Sequence, residues 1–290
     1  MRRSRLTSLV FGVGSGLFLF GCGPAESQPS EPAGKEATNE GSLAISQVFA
    51  GESEPNNTFA TANPIGLDTV IRANILPVAD ADWYSFQGVA GDRVYAAMMT
   101  AASANGANDG ELQIYAPDGT TVVEHDDENG VLGAFSPSIA GATLTQTGTY
   151  YIRAYFFDTV TAVLPYDLHV RVQRGAATPE VEPNDATPNS LPASGWVSGA
   201  LSATTDVDVY SIQLNAGDTI YAGLDLDPTR DGSEWNGQLL IGPFGPTNAS
   251  LLVNDNSGAA GPDSEAGFVT VKNTGTYQVG VNLQGGTAFG

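Results

Sequence analysis

The residues best equipped for chemistry are acidic, and they come in pairs. Glu52 and Glu54 flank a serine and lead into Pro55, Asn56 and Asn57, with Asp80 and Asp82 further along. The arrangement returns as Glu180, Glu182, Pro183, Asn184 and Asp185, followed by Asp206 and Asp208. Four carboxylates gathered at the entry to a domain repel one another unless a cation sits among them. Oxygen donors of this kind suit Ca²⁺, which takes roughly 6 to 8 ligands from carboxylates, amides and carbonyls. Neither stretch contains His or Cys, which argues against zinc or copper. Proline after the second Glu stiffens the backbone where ligands must converge. A plainer reading stays open, in which Glu-Pro-Asn is a turn at a domain boundary and the acids are solvated. Turn chemistry accounts for the Pro and Asn but not for the paired acids.

Catalytic constellations are missing from the sequence. It carries no Gly-x-Ser-x-Gly elbow, no His-Glu-x-x-His helix and no phosphate loop. Of the two histidines, His169 alternates outward with Asp167 and Arg171 and reads as an exposed strand residue, while His125 sits in an acidic loop and reads as solvated. Asp126-Asp127-Glu128 lacks EF-hand spacing, and the stretch from Asp227 has Gln238 where a bidentate Glu belongs, so both read as loops. The chain is therefore expected not to be an enzyme. Its net charge of −21, from 11 Lys+Arg against 32 Asp+Glu, leaves no basic face for phosphates and disfavours nucleic acid as a partner.

The acids are positioned by a unit written twice. The Glu-x-Glu-Pro-Asn segment recurs 128 residues on, Asp80-Ala-Asp82-Trp-Tyr-Ser-Phe recurs as Asp206-Val-Asp208-Val-Tyr-Ser-Ile after 126, and Gly148-Thr-Tyr recurs as Gly275-Thr-Tyr after 127. Near-constant offsets define two homologous domains. Tyr84 and Phe86 alternate with Ser85 and Gln87, and Tyr210, Ile212 and Leu214 alternate with Ser211 and Gln213. A period of two marks strands with one wet face. Gly91-Asp92 and Gly217-Asp218 are expected to turn each of these strands into a hairpin. Tyr166, Leu168, Val170 and Val172 line one face of a strand that closes the first copy. With 35 Gly and 17 Pro punctuating short strands, the expected fold is all-β: two tandem jelly-roll-like antiparallel β-sandwiches, the second lacking its closing strand. The counterpart of Tyr166 would fall beyond Gly290, which leaves three readings: a fragment of a longer protein, a strand donated by another chain, or a decayed second copy.

The amino end reads as an export leader. Arg2, Arg3 and Arg5 precede the uncharged stretch Leu6 to Phe20, which is too short to span a bilayer comfortably as a helix. Leu19-Phe20-Gly21-Cys22 resembles the bacterial lipoprotein cleavage box, although Phe20 is larger than usual there. Cys22 is the only cysteine, so no intrachain disulfide can form and lipidation gives the thiol a purpose. A conventional signal peptide that happens to contain a Cys is the other reading. Cleavage before Cys22 would remove three arginines and take the net charge to −24. The resemblance also implies outer-membrane sorting, because Gly23 rather than Asp follows the cysteine. The next twenty residues hold almost no large apolar side chain and read as a tether spanning about 25 Å as a flexible coil. The expected organisation is thus a leader at 1–21, a tether at 22–42, a first sandwich at 43–174 and a second at 178–290.

The order Glu-x-Glu-Pro-Asn-Asn/Asp, Asp-x-Asp-x-Tyr, Ala-Gly-Asp and Gly-Thr-Tyr resembles the bacterial pre-peptidase C-terminal domain, in two copies covering nearly everything from Glu52 onward. The resemblance implies a jelly-roll sandwich found beside secreted proteases and on cell-surface proteins. It also implies calcium binding, as in the related collagen-binding domains of clostridial collagenases. Carried over by position, the implied ligands are Glu52, Glu54, Asn56, Asn57, Asp80 and Asp82 in the first copy. In the second they are Glu180, Glu182, Asn184, Asp185, Asp206 and Asp208. Asn57 in place of Asp185 removes one charge, so the first site is expected to bind calcium more weakly.

Three roles follow as expectations. One is a calcium-stabilised surface lipoprotein, held to the membrane by its lipid anchor and bearing adhesive or accessory modules for an extracellular protein or polysaccharide. Another is a set of accessory domains from a larger secreted peptidase or hydrolase. The last is a plain spacer. Trp83, Trp196 and Trp235 are the aromatics that would contact protein or sugar if exposed, with core packing as the default.

Overall fold

The structure is a computed structural model that describes residues 7–15, 48–100, 109–127, 136–157, 163–229, 237–243, 253–255 and 265–283. Cys22, the tether and Trp235 lie outside the described residues. In chain order the strands begin with β1 (Thr7–Ser15), β2 (Val48–Gly51), β3 (Asn63–Pro64), β4 (Asp68–Ile75), β5 (Ala81–Gly88) and β6 (Arg93–Thr100). They continue with β7 (Gly110–Tyr115), β8 (Val122–Asp126), β9 (Ser138–Thr143), β10 (Gly148–Phe156) and β11 (Val163–Gln173). The second repeat holds β12 (Thr178–Pro179), β13 (Asn189–Ser190), β14 (Trp196–Gly199), β15 (Val207–Leu214) and β16 (Asp218–Asp225). It ends with β17 (Gly237–Pro243), β18 (Val253–Asp255), β19 (Glu265–Thr270) and β20 (Gly275–Leu283).

These strands form four five-stranded sheets, two to a sandwich. The first sandwich has the orders β2-β4-β11-β6-β9 and β3-β5-β10-β7-β8, and the second has β12-β14-β1-β16-β19 and β13-β15-β20-β17-β18. The two pairs of orders match strand for strand, with β1 standing where β11 stands in the first. Residues 7–15, part of the stretch that reads as an export leader, thus stand between β14 and β16.

Alternation builds each core. Tyr84 and Phe86 on β5, Ile152 and Ala154 on β10 and Leu168, Val170 and Val172 on β11 are buried in the first. Tyr210, Ile212, Leu214, Ile220, Leu239, Ile241 and Val279 do the same in the second. The turns at Gly91-Asp92 and Gly217-Asp218 differ from expectation. Each leads from one sheet to the other, because β5 pairs with β3 and β10 whereas β6 pairs with β11 and β9. Asp92 accepts a hydrogen bond from Val89 N at 2.9 Å, and Gly91 takes a φ of +90° that favours glycine. A hairpin would have left the next strand on the same sheet. The arch instead lets both strands face one core from opposite sides.

The outer face of β6, β9 and β11 is covered by the second sandwich. Tyr95, Ala97 and Ala140 pack with Trp196 and Tyr221. Arg93 donates to Pro228 O at 2.7 Å and lies 3.7 Å from Asp225, while Arg171 donates to Ser194 O at 2.6 Å. Gly141, with φ +73°, backs onto Asp225 so closely that a side chain there would overlap its carboxylate. His169 is therefore not an exposed strand residue: it is buried with its ring centroid 6.0 Å from that of Tyr221, and burial holds its pKa down at about 4. Trp83 and Trp196 are likewise largely buried, at 9% and 5% exposure.

Truncating Ile152, fully buried at the middle of β10, is expected to cost about 2–5 kcal/mol of stability. Denaturant unfolding of Ile152→Ala should shift the transition of the first sandwich accordingly.

Candidate functional site

The Glu-x-Glu-Pro-Asn segments run beside β4 and β14, on the way into each sandwich. Ser53 N donates to Asn63 Oδ1 at 2.7 Å, and Asn63 Nδ2 returns a bond to Ser53 O, which pins the segment to the start of β3. Val181 and Asn189 repeat this exchange in the second copy. The peptides Glu54-Pro55 and Glu182-Pro183 are both cis. Glu54 Oε2 accepts from Asn56 N at 2.8 Å, and Glu182 Oε2 accepts from Asn184 N at 2.9 Å. Glu52 Oε1 is held by Asn74 N at 2.8 Å, and Glu180 Oε1 by Ala200 N at 2.5 Å.

These anchors bring one oxygen each of Glu52, Glu54 and Asp82 within 4.8 Å of one another, and do the same for Glu180, Glu182 and Asp208. Asp82 at the start of β5 and Asp208 at the start of β15 are buried, with exposures of 0% and 2%. Several oxygens find no hydrogen-bond donor: Glu52 Oε2, Asp80 Oδ2 and Asp82 Oδ1 in the first copy and Asp208 Oδ1 in the second. The side-chain amide of fully buried Asn56 is also without a partner. Buried acceptors normally find donors, so oxygens left facing one another fit a bound cation. Six hard-oxygen candidates with no soft donor match the ligand preferences of Ca²⁺.

Not every implied ligand joins the trio. Asn57 Nδ2 donates to Asp80 Oδ1, which also accepts from Ala81 N at 2.8 Å. Asp185 Oδ1 accepts from Val207 N at 3.2 Å, and Asp206 Oδ2 accepts from Ser202 N. Asn184 is engaged on both sides, with Nδ2 toward Glu180 Oε2 at 3.3 Å and Oδ1 accepting from Val209 N at 3.2 Å. In each copy the gathered carboxylates are thus the two Glu and the second Asp, while the first Asp and the residue at Asn57 or Asp185 brace the surrounding loop.

Tyrosines complete the site, and the sequence offered little sign of them. Tyr166 OH donates to Asp82 Oδ2 at 2.5 Å and contacts Tyr84 OH at 2.7 Å, all within the core. In the second copy Tyr210 OH donates to Glu180 Oε2 at 3.0 Å. Among the described residues no tyrosine hydroxyl donates to Asp208. Gly199, which stands where the first copy has Ala73, lies so close to Glu180 and Asp208 that an added Cβ would fall 2.8 Å from Asp208 Oδ2.

Burial pushes the Asp82 pKa up to about 8, against the lowering effect of the Tyr166 hydrogen bond, with repulsion from Glu52 adding to the rise. Asp208 goes to about 9, through burial first and the Glu180 charge second. Glu52 is raised too, chiefly by burial, and it lies within hydrogen-bonding reach of Asp82. A proton or a cation within the trio would relieve the same repulsion.

A further trio escaped the sequence reading. Glu111, His125 and Asp127 have ligand atoms within 4.8 Å of one another. His125 is paired rather than merely solvated, with Nε2 at 3.0 Å from Glu111 Oε2, which also accepts from Tyr155 OH. Strand pairing of β7 with β8 sets Gln113 against His125 and brings the ring toward Glu111, a proximity that residue spacing does not reveal.

No protein-family model matches the chain, and no curated protein matches it. Among solved structures, it is similar to the pre-peptidase C-terminal domain of a collagenase from Bacillus anthracis, at 18% identity over 38% of this chain and 94% of that one, with a TM-score of 0.30. It is also similar to PliG of Aeromonas hydrophila, a periplasmic inhibitor of g-type lysozyme, at 14% identity over 44% and 100%, with a TM-score of 0.29. A putative secreted protein of Eubacterium rectale matches at 12% identity over 91% of this chain and 82% of that one, with a TM-score of 0.26.

The raised carboxylates set a pH dependence. In the unfolded chain Asp82 and Asp208 return to the ordinary value of 3.8. The folded state therefore holds protons more tightly, and the stability present below about pH 4 is lost as pH rises through about 8 and 9. In chelator, the melting temperature should fall between pH 6 and about 9.5, and in the double variant Asp82→Asn/Asp208→Asn this slope should flatten.

Proposed function

We propose that the chain is a non-catalytic, calcium-stabilised pair of sandwich modules from an exported bacterial lipoprotein. Ca²⁺ would take the place of the proton shared within each acidic trio and hold the incoming segment against β5 and β15. The observation that carries this reading is the recurrence of donorless buried oxygens around Asp82 and Asp208, in the same place in both copies. Duplication of a site suits a scaffold better than an active centre. Among the described residues no helix is long and apolar enough to cross a membrane, and attachment in this reading is through lipid on Cys22. The modules would serve an extracellular protein or polysaccharide partner at the outer membrane or cell surface.

The second site is the stronger in this reading. Among the described residues Asp208 has no tyrosine donor to offset its charge, and Asp185 adds a nearby acid where the first copy has an amide.

Calcium binding only the folded state would stabilise it by about 2.7 kcal/mol at a hundredfold excess over the dissociation constant. Scanning calorimetry in calcium against chelator should therefore show a rise in melting temperature, and Asp208→Asn should abolish the larger part of it. Identical curves in calcium and chelator would end the proposal. A Cys22→Ser chain expressed in a diderm host should be recovered unacylated in the soluble fraction, and its retention in membranes would contradict lipid anchoring.

A further inference from the structure

We propose that Glu111, His125 and Asp127 form a site for Zn²⁺ or a similar first-row divalent ion on the first sandwich, separate from the acidic trios. Strand pairing brings the three together. β7 and β8 run antiparallel with Leu112 opposite Asp126 and Gln113 opposite His125, so one further step of that register places Asp127 opposite Glu111. His125 and Asp127, two residues apart, thus share the face that Glu111 occupies on β7.

Two carboxylates directly opposite one another across a strand pair are destabilising unless a positive charge sits between them. Glu111 has little access to water, since its side chain is only 9% exposed. Its Oε2 faces His125 Nε2 at 3.0 Å and accepts from the hydroxyl of Tyr155, its direct neighbour on β10. The Arg153 guanidinium lies 3.8 Å from the centroid of the Tyr155 ring and donates to Gln113 Oε1 at 3.3 Å, which engages that charge away from the carboxylates. Glu111 is therefore held in place by an outer hydrogen bond, as metal-ligating carboxylates are. An imidazole nitrogen beside two carboxylate oxygens suits zinc rather than calcium, and three protein ligands leave a fourth position open to water.

The second sandwich carries a different set at the same places. Leu239 pairs with Asp255 and Val281 as Leu112 pairs with Asp126 and Ala154, which sets Gln238, Asn254 and Asn282 at the positions of Glu111, His125 and Tyr155. In the sequence Asn256 stands where the first copy has Asp127. All four are amides in the second repeat, so the shared fold does not require carboxylate or imidazole at these positions. An ion seated here would tie the edge strand β8 to β7, whether or not calcium binds at the acidic trios.

The test uses the full chain with Cys22→Ser, which removes the one thiol, titrated with Zn²⁺ in excess Ca²⁺. Calorimetry should detect one Zn²⁺ per chain that is lost in the variant Glu111→Gln/His125→Asn/Asp127→Asn, whose side chains are those of the second repeat. A second measurement needs no substitution at the site. In NMR spectra Zn²⁺ should shift the imidazole resonances of His125 and leave those of the buried His169 in place. No bound zinc, zinc retained in full by the triple variant, or a His125 ring that does not respond would each overturn the proposal.

Discussion

Two aspartates are buried at the seam of their sandwiches with an oxygen each that meets no donor, and this constraint shapes everything near it. Asp82 and Asp208 sit on strands whose alternate residues, Tyr84 and Phe86 or Tyr210 and Ile212, are core. Their burial follows from that placement. Leaving such a group charged and unpaired would cost several kcal/mol, so the site must take up either a proton or a cation. The segment carrying the two glutamates delivers the remaining oxygens, and its backbone is fixed by the Asn63 and Asn189 exchanges, so the negative charges are held together rather than left to splay apart.

The closing strand and the acidic site are linked. Tyr166 belongs to β11, the middle strand of its sheet, and reaches Asp82 through its hydroxyl. In the second copy, among the described residues, no tyrosine hydroxyl reaches Asp208, and both aspartates are raised chiefly by burial. The strand that crosses the middle of the sheet thus also contributes to the chemistry of the site at its end. The two copies share a strand order while differing in charge balance at the acidic site.

Much of the fold could be read from the chain. Constant offsets between acidic and aromatic landmarks gave the two units, and a period of two gave the strands, because sheets with one buried face impose that pattern. What could not be read was long-range. Nothing local distinguishes a hairpin at Gly91-Asp92 from an arch between sheets, since both need the same turn chemistry and differ only in the later strands that pair on either side. His169 looked exposed because its strand alternates correctly, and only the docking of Trp196 and Tyr221 buries the outer face. In the acidic site, all four carboxylates were visible, but which three converge depends on the hydrogen bonds of Asn57 with Asp80 and of Asn74 with Glu52. The apolar segment near the amino end had a complete explanation as a leader, so its fit to a sheet one domain away carried no signal of its own.

The central claim concerns what neutralises Asp82 and Asp208 when their neighbours are ionised. A crystal structure of the protein grown with calcium at neutral to alkaline pH tests it directly. The account predicts an ion at each trio, bound by oxygens of Glu52, Glu54 and Asp82 or of Glu180, Glu182 and Asp208 at roughly 2.3–2.6 Å. Carboxylates pointing into solvent, or trios filled by water alone under those conditions, would contradict it.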